Sequence, residues 1–201
     1  MKSLLAILFL AAVLFGAWWL FFKTDGASES EPKQESITVG RHTPGFNESI
    51  SNSINSYLDM KSAFVEADTF SVKEQAQKFI TMMDSVKLDD LQKEDSQVVM
   101  AARQEISDIK ANAQAILMEK DITEMRQDFR MVSENLYPFL RTIGYEGEKL
   151  YWQNCPMAFG EGKEGNWLSN TEEIINPYLG KHDPQYKASM LSCGETKDII
   201  K

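Results

Sequence analysis

Two stretches in the middle of the chain repeat apolar residues at alternating steps of three and four. One runs Val99, Ala102, Ile106, Ile109, Ala113, Ile116; the other runs Ile122, Met125, Phe129, Val132, Leu136, Phe139, Ile143. A helix turns once every 3.6 residues, so this alternation lays a single apolar seam along each helix and suits packing against other helices. The link "MEKD" is short and Asp121 suits an N-cap, so the two helices are expected to lie antiparallel. Two earlier segments carry similar stripes. Ile50, Ile54, Tyr57, Leu58, Phe64 and Val65 form the first, interrupted by Lys61; Val72, Ala76, Phe79, Ile80 and Met83 form the second. Ser71 and Glu74 fit a capping box at the start of that second helix. Gly144 is a natural stop, and Pro138 predicts a kink near Glu134, whose carbonyl loses its donor. The expected fold is mainly α, a four-helix bundle. Its methionines (Met83 and Met125 lie on the seams) read as gap-filling core without a function.

After Gly144 the pattern changes. "YEGEKLYWQNCPMAF" alternates weakly, like a short strand or one arm of a hairpin, and "GEGKEG" is a turn without the spacing of a nucleotide loop. "NWLSNTEEIINPYLG" predicts a short helix from Ser169 or Asn170, stopped before Pro177. This extension, 144–201, is too small to bury a core of its own. It is expected to pack on the bundle through Trp152, Trp167 and Tyr178, making 46–201 one domain.

The N-terminus bears on compartment. Leu4–Phe22 carries no charge and lies between Lys2 and Lys23. That length approaches the roughly 20 apolar residues a bilayer-spanning helix needs, and exceeds the core of a cleavable signal. Trp18, Trp19, Phe21 and Phe22 cluster at one end, as in an interfacial aromatic belt. Residues 1–23 therefore read as a transmembrane signal anchor of the inner membrane, single-pass, with the body in the periplasm. Cleavage near "DGAS" and secretion to the periplasm is the alternative. Residues 24–45, polar and rich in Gly, Ser and Pro, read as a flexible linker. A formal net charge of -9, with no basic run, argues against nucleic acid as a partner.

The chain has two cysteines, Cys155 and Cys193, each with a methionine nearby. In an extended strand Cys155 and Met157 face one way, and in a helical turn Met190 and Cys193 share a face. Together they offer two thiolates and two thioethers, a soft donor set for Cu(I) or Ag(I), with His182 the nearest imidazole in sequence. Zn²⁺ prefers cysteine with histidine; the two-His, two-Cys set of His42, His182 and the cysteines lacks zinc-finger spacing. The same cysteines suit a disulfide outside the cytoplasm, closing a loop of about 38 residues worth about 4 kcal/mol in the chain-entropy model. Two free structural thiols are the third reading.

The tail motifs Cys155-Pro156-Met157-Ala158, Trp167-Leu168-Ser169, Asn176-Pro177-Tyr178-x-Gly180 and Met190-Leu191-x-Cys193-Gly194-Glu195 resemble those of the family of domains of unknown function numbered 3347. "INSYLDMKSAFVEAD" is similar to that family's bundle opening, so the resemblance spans about residues 46–197. It implies an extracytoplasmic domain of the kind also found on adaptor proteins of heavy-metal efflux systems, and so copper- or silver-type metal handling by association. It also implies histidine in the last bundle helix, where this chain has Glu124 and Asp128, and a shorter spacer before "ML-x-C".

Two functions follow as expectations. One is a membrane-anchored domain that binds a soft metal ion and buffers it or passes it to efflux components, with Cys155, Met157, Met190, Cys193 and His182 as ligands. The other is a non-catalytic envelope interaction module in which Cys155 and Cys193 form a structural disulfide. An enzyme is not expected: no nucleophile elbow, zincin helix or Cys-x-x-Cys is present, and Asp89/Asp90 and Glu172/Glu173 read as solvated pairs.

Overall fold

The computed structural model describes residues 42–93 and 96–201, all within one compact unit. The expected transmembrane anchor and most of the expected linker lie outside the described residues. Among the described residues no helix is long and apolar enough to cross a membrane.

Four helices open the domain: α1 (Pro44–Val65), α2 (Thr69–Asp84), α3 (Ser96–Met118) and α4 (Ile122–Thr142), with a short 3₁₀ segment at Leu88–Lys93. Helix α1 starts inside the segment read as linker. Pro44 occupies its first turn, where a missing N–H is harmless, and the Thr43 hydroxyl accepts the Phe46 N–H at 3.2 Å. Helix α2 begins at Thr69, not Ser71. The Asp68 carboxylate accepts the N–H groups of Phe70 and Ser71, both at 3.1 Å, and the Ser71 hydroxyl donates to the same carboxylate. The expected capping box gives way because Asp68 is already placed to satisfy those donors.

Helix α4 agrees with its pattern. Asp121 caps it through the Thr123 N–H at 2.8 Å. It ends at Gly144, whose φ of 62° lets Tyr145 N–H reach back to Leu140 O at 2.9 Å and Gly144 N–H to Arg141 O at 3.2 Å. The helix is continuous through Pro138. The seam residues Met125, Phe129, Val132, Leu136, Phe139 and Ile143 are all buried; on α3, Ala102, Ile109, Ala113 and Ile116 are.

Large side chains join the first helix to the last. Tyr57 stacks on Phe129 with ring centroids 5.2 Å apart, and Phe64 lies 4.6 Å from the same ring. The Tyr57 hydroxyl shares a 2.7 Å hydrogen bond with Ser133 Oγ and accepts the Leu168 N–H at 3.1 Å, tying α1, α4 and the tail together.

The tail is a three-stranded antiparallel sheet, β1 (Leu150–Cys155), β2 (Gly165–Ser169) and β3 (Glu195–Ile200), in the order β2-β1-β3. The hairpin is one of the two forms expected here, and Glu195–Ile200 adds a third, unexpected strand. Trp167 and Tyr178 are buried against the bundle, and Trp152 stacks on Tyr137 at 4.5 Å. The short helix expected from Ser169 is absent: Trp167-Leu168-Ser169 belongs to β2, and 170–180 is irregular. The buried Gln153 side-chain amide donates to the carbonyls of Thr171, Glu172 and Glu173 at 3.1–3.3 Å, so these oxygens turn toward β1. Six residues ahead of a proline cannot offset helix nucleation against that alternative.

Candidate metal centre

Strand β1 ends at Cys155, which is fully buried and sits opposite Gly165 in β2. On the other side Asn154 pairs with Glu195, which brings Gly194 and Cys193 alongside the end of β1. Gly194 makes this approach possible. It has φ of 145°, and a Cβ there would sit 2.7 Å from the Asn154 carbonyl oxygen and 3.0 Å from the Trp167 ring.

Cys193 is held from two directions. Its N–H donates to Met190 O at 2.9 Å, closing the turn that follows the 3₁₀ segment Ala188–Met190. Its carbonyl accepts from Asn176 Nδ2 at 2.9 Å. Asn176 is fully buried and every polar group of its side chain is used: Oδ1 accepts the N–H groups of Tyr178 at 2.8 Å and Leu179 at 2.9 Å. Its backbone N–H donates to Leu191 O at 2.8 Å. Downstream, a Cβ on Gly180 would meet Val65 O at 2.3 Å, so only glycine lets the "NPYLG" segment lie against the end of α1. The motif residues that carry the resemblance are thus the parts that bring the second cysteine back to the first.

The two cysteines come to lie side by side, Cys193 next to the residue that faces the end of β1. Burial pushes the Cys193 thiol up to about 12, and a hydrogen bond with the Cys155 thiol and that group's charge push it the same way. The Cys193 sulfur is therefore protonated at neutral pH unless an oxidant or a soft cation replaces its proton. Met157 and Met190 are half-buried against the same core, Met157 in the turn after β1 and Met190 one turn before Cys193. His182 is exposed, and His42 lies against Phe46 with its imidazole 3.8 Å from Glu146. Among the described residues no three His, Cys, Asp or Glu side chains come together as a metal-holding group. Neither histidine is thus grouped with the cysteine pair. The cysteine pair is a soft donor set that suits Cu(I) or Ag(I) and not Mg²⁺, and as a pair without histidine it falls short of the four donors of a structural Zn²⁺ site.

Two buried cations around this tail went unassigned in the sequence. Arg126, 4% exposed, donates from Nε to Pro177 O at 3.2 Å and from Nη2 to Phe64 O at 3.4 Å, with Asp183 at 4.0 Å. It fastens the "NPY" segment to both α1 and α4. Lys61, the interruption in the α1 stripe, is 6% exposed and donates to Ser169 Oγ at 3.1 Å. A charge on an apolar stripe was the available signal; its partners lie too far along the chain to be read.

Residues 54–147 match the family model described as a protein of unknown function, DUF3347. This stretch belongs to the DUF3347 family. The matched residues cover most of α1 and all of α2, α3 and α4, ending just before β1. No curated protein and no solved structure matches the chain.

Burial lowers the Lys61 amine to about 8 from its ordinary 10.5. The unfolded chain keeps the ordinary value, so between pH 8 and 10.5 it binds more protons than the folded one. Stability contributed by this group rises with pH across that window, and the full penalty stands below it. The shift corresponds to about 3 kcal/mol. Lys61→Met, which keeps the apolar stem, is expected to be more stable than wild type at pH 7, with the difference shrinking toward zero by pH 10. Urea unfolding of both proteins at several pH values measures it; a pH-independent difference would contradict the assignment.

Proposed function

We propose that this protein is a membrane-anchored extracytoplasmic domain that binds Cu(I) or Ag(I) through Cys155 and Cys193. Met157 and Met190 supply further soft donors, and the protein buffers the ion or passes it to efflux components. The body lies in the periplasm, and no catalysis is assigned. The observation that carries this reading is the β1–β3 register that brings Cys155 and Cys193 side by side, each with a half-buried methionine two or three residues away in the chain. His182, exposed and not grouped with the cysteine pair, is left out of this ligand set.

A disulfide would use the same proximity. The ladder between β1 and β3, the tight approach at Gly194 and the Asn176 hydrogen bonds already specify where the end of the chain lies. A covalent bond is not required to place Cys193, which favours ligation as the reason for the pair.

The test is anaerobic titration of the reduced full chain, in lipid nanodiscs, with Cu(I) in competition with a chromophoric chelator. One ion per chain is expected, with affinity rising with pH because binding displaces thiol protons. Cys155→Ser should cost more than the roughly 10–100-fold typical of a residue that only supports a ligand. Met157→Leu should cost less than Cys155→Ser. Binding unaffected by Cys155→Ser would overturn the reading. So would a mass two hydrogens short in protein taken from its native compartment, which would establish the disulfide-bonded interaction module instead.

A further inference from the structure

Lys61 carries a charge that the fold does not match. Among the described residues the lysine ion pairs are Lys78–Asp59, Lys110–Asp84, Lys181–Glu66 and Lys197–Glu195, and none involves Lys61. Its ammonium has only the neutral Ser169 hydroxyl. An ammonium taken from water without a counter-charge is costly, and an anion supplied from outside the chain would offset that cost.

Lys61 lines a cleft of about 460 Å³ between the end of α1 and the turn that leads into Cys193. That volume falls within the range of small-molecule sites, about 300–1,000 Å³. Val65, Ile174 and Leu191 give it apolar walls. Its other charges are Lys181, already paired with Glu66, and Glu173. With Glu66 held by Lys181, the charges left at the cleft are the Lys61 ammonium and the Glu173 carboxylate, a setting that admits one negative charge at Lys61 and repels a multiply charged anion such as phosphate. The apolar walls call for an apolar body attached to it.

We propose that this cleft binds a small monocarboxylate, its carboxylate paired with Lys61 and a branched apolar body lying on Val65, Ile174 and Leu191. Neither cysteine lines this cleft, although it abuts the turn that carries Cys193, so the inference does not rest on the metal reading.

Isothermal titration of the full chain in nanodiscs with isocaproate, against empty nanodiscs, tests it. Saturable binding at one site per chain is expected, with at least a tenfold loss of affinity in Lys61→Met and no comparable binding of inorganic phosphate. Lys61→Met should unfold at higher urea than wild type, so a loss of binding there cannot be put down to unfolding. Cys155→Ser should bind isocaproate as wild type does, which separates this result from that of the copper titration. No saturable binding, or equal binding by Lys61→Met, overturns the proposal. Phosphate binding as tightly as isocaproate would overturn the choice of a monocarboxylate.

Discussion

Phe129→Ala is expected to destabilise the protein by about 4 kcal/mol, the middle of the range for removing a buried aromatic ring. Phe129 is fully buried on the α4 seam. Its ring meets Tyr57 at 5.2 Å and Phe64 at 4.6 Å, both from α1, and Tyr178 from the tail at 5.9 Å. Truncation removes the apolar surface of the ring and leaves a cavity between three elements. Those elements cannot close it independently, because Tyr57 is fixed to Ser133 and Leu168 through its hydroxyl. Phe129→Leu retains most of the volume and is expected to cost about 1–2 kcal/mol. Urea unfolding followed by tryptophan fluorescence reads both. A loss below about 1.5 kcal/mol for Phe129→Ala would mean that the aromatic junction does not bind the tail to the bundle.

That junction shows why the bundle was legible and the tail less so. Seams on α3 and α4 are written locally: each apolar residue lies three or four positions from the next, and Gly144 ends the pattern where the backbone needs a positive φ. The tail's order is written across the chain. Strand β3 buries only Ile200 and alternates between exposed and half-buried residues elsewhere, so nothing in "ETKDII" announces its pairing with β1. The segment after Ser169 has the local composition of a short helix, but Gln153, eighteen to twenty residues earlier, claims its carbonyls. Lys61 was visible as a break in a stripe, while its hydroxyl partner lies 108 residues away. The cysteines were legible as soft donors. Their meeting depends on Asn176, Gly180 and Gly194, which a single sequence presents only as turn residues.

Asn176→Ala is accordingly the second large effect expected, with consequences for both stability and the thiol pair. The substitution deletes three side-chain hydrogen bonds in a fully buried position. It leaves the N–H groups of Tyr178 and Leu179 and the carbonyl of Cys193 without these partners. Stranding buried polar groups costs about 1–3 kcal/mol each, so a loss of about 4 kcal/mol is expected. Asn176→Asp separates the two roles. A carboxylate still accepts from Tyr178 and Leu179 but cannot donate to Cys193, so the "NPYLG" turn keeps its hold on α1 while the turn carrying Cys193 loses its tether. Stability should fall here too, because the buried carboxylate faces the Cys193 carbonyl, and Cys193 should react faster with a thiol reagent than in wild type and bind Cu(I) more weakly. If Asn176→Asp left Cys193 as unreactive as in wild type, the placement of the second sulfur would rest on the β-ladder and Gly194 alone.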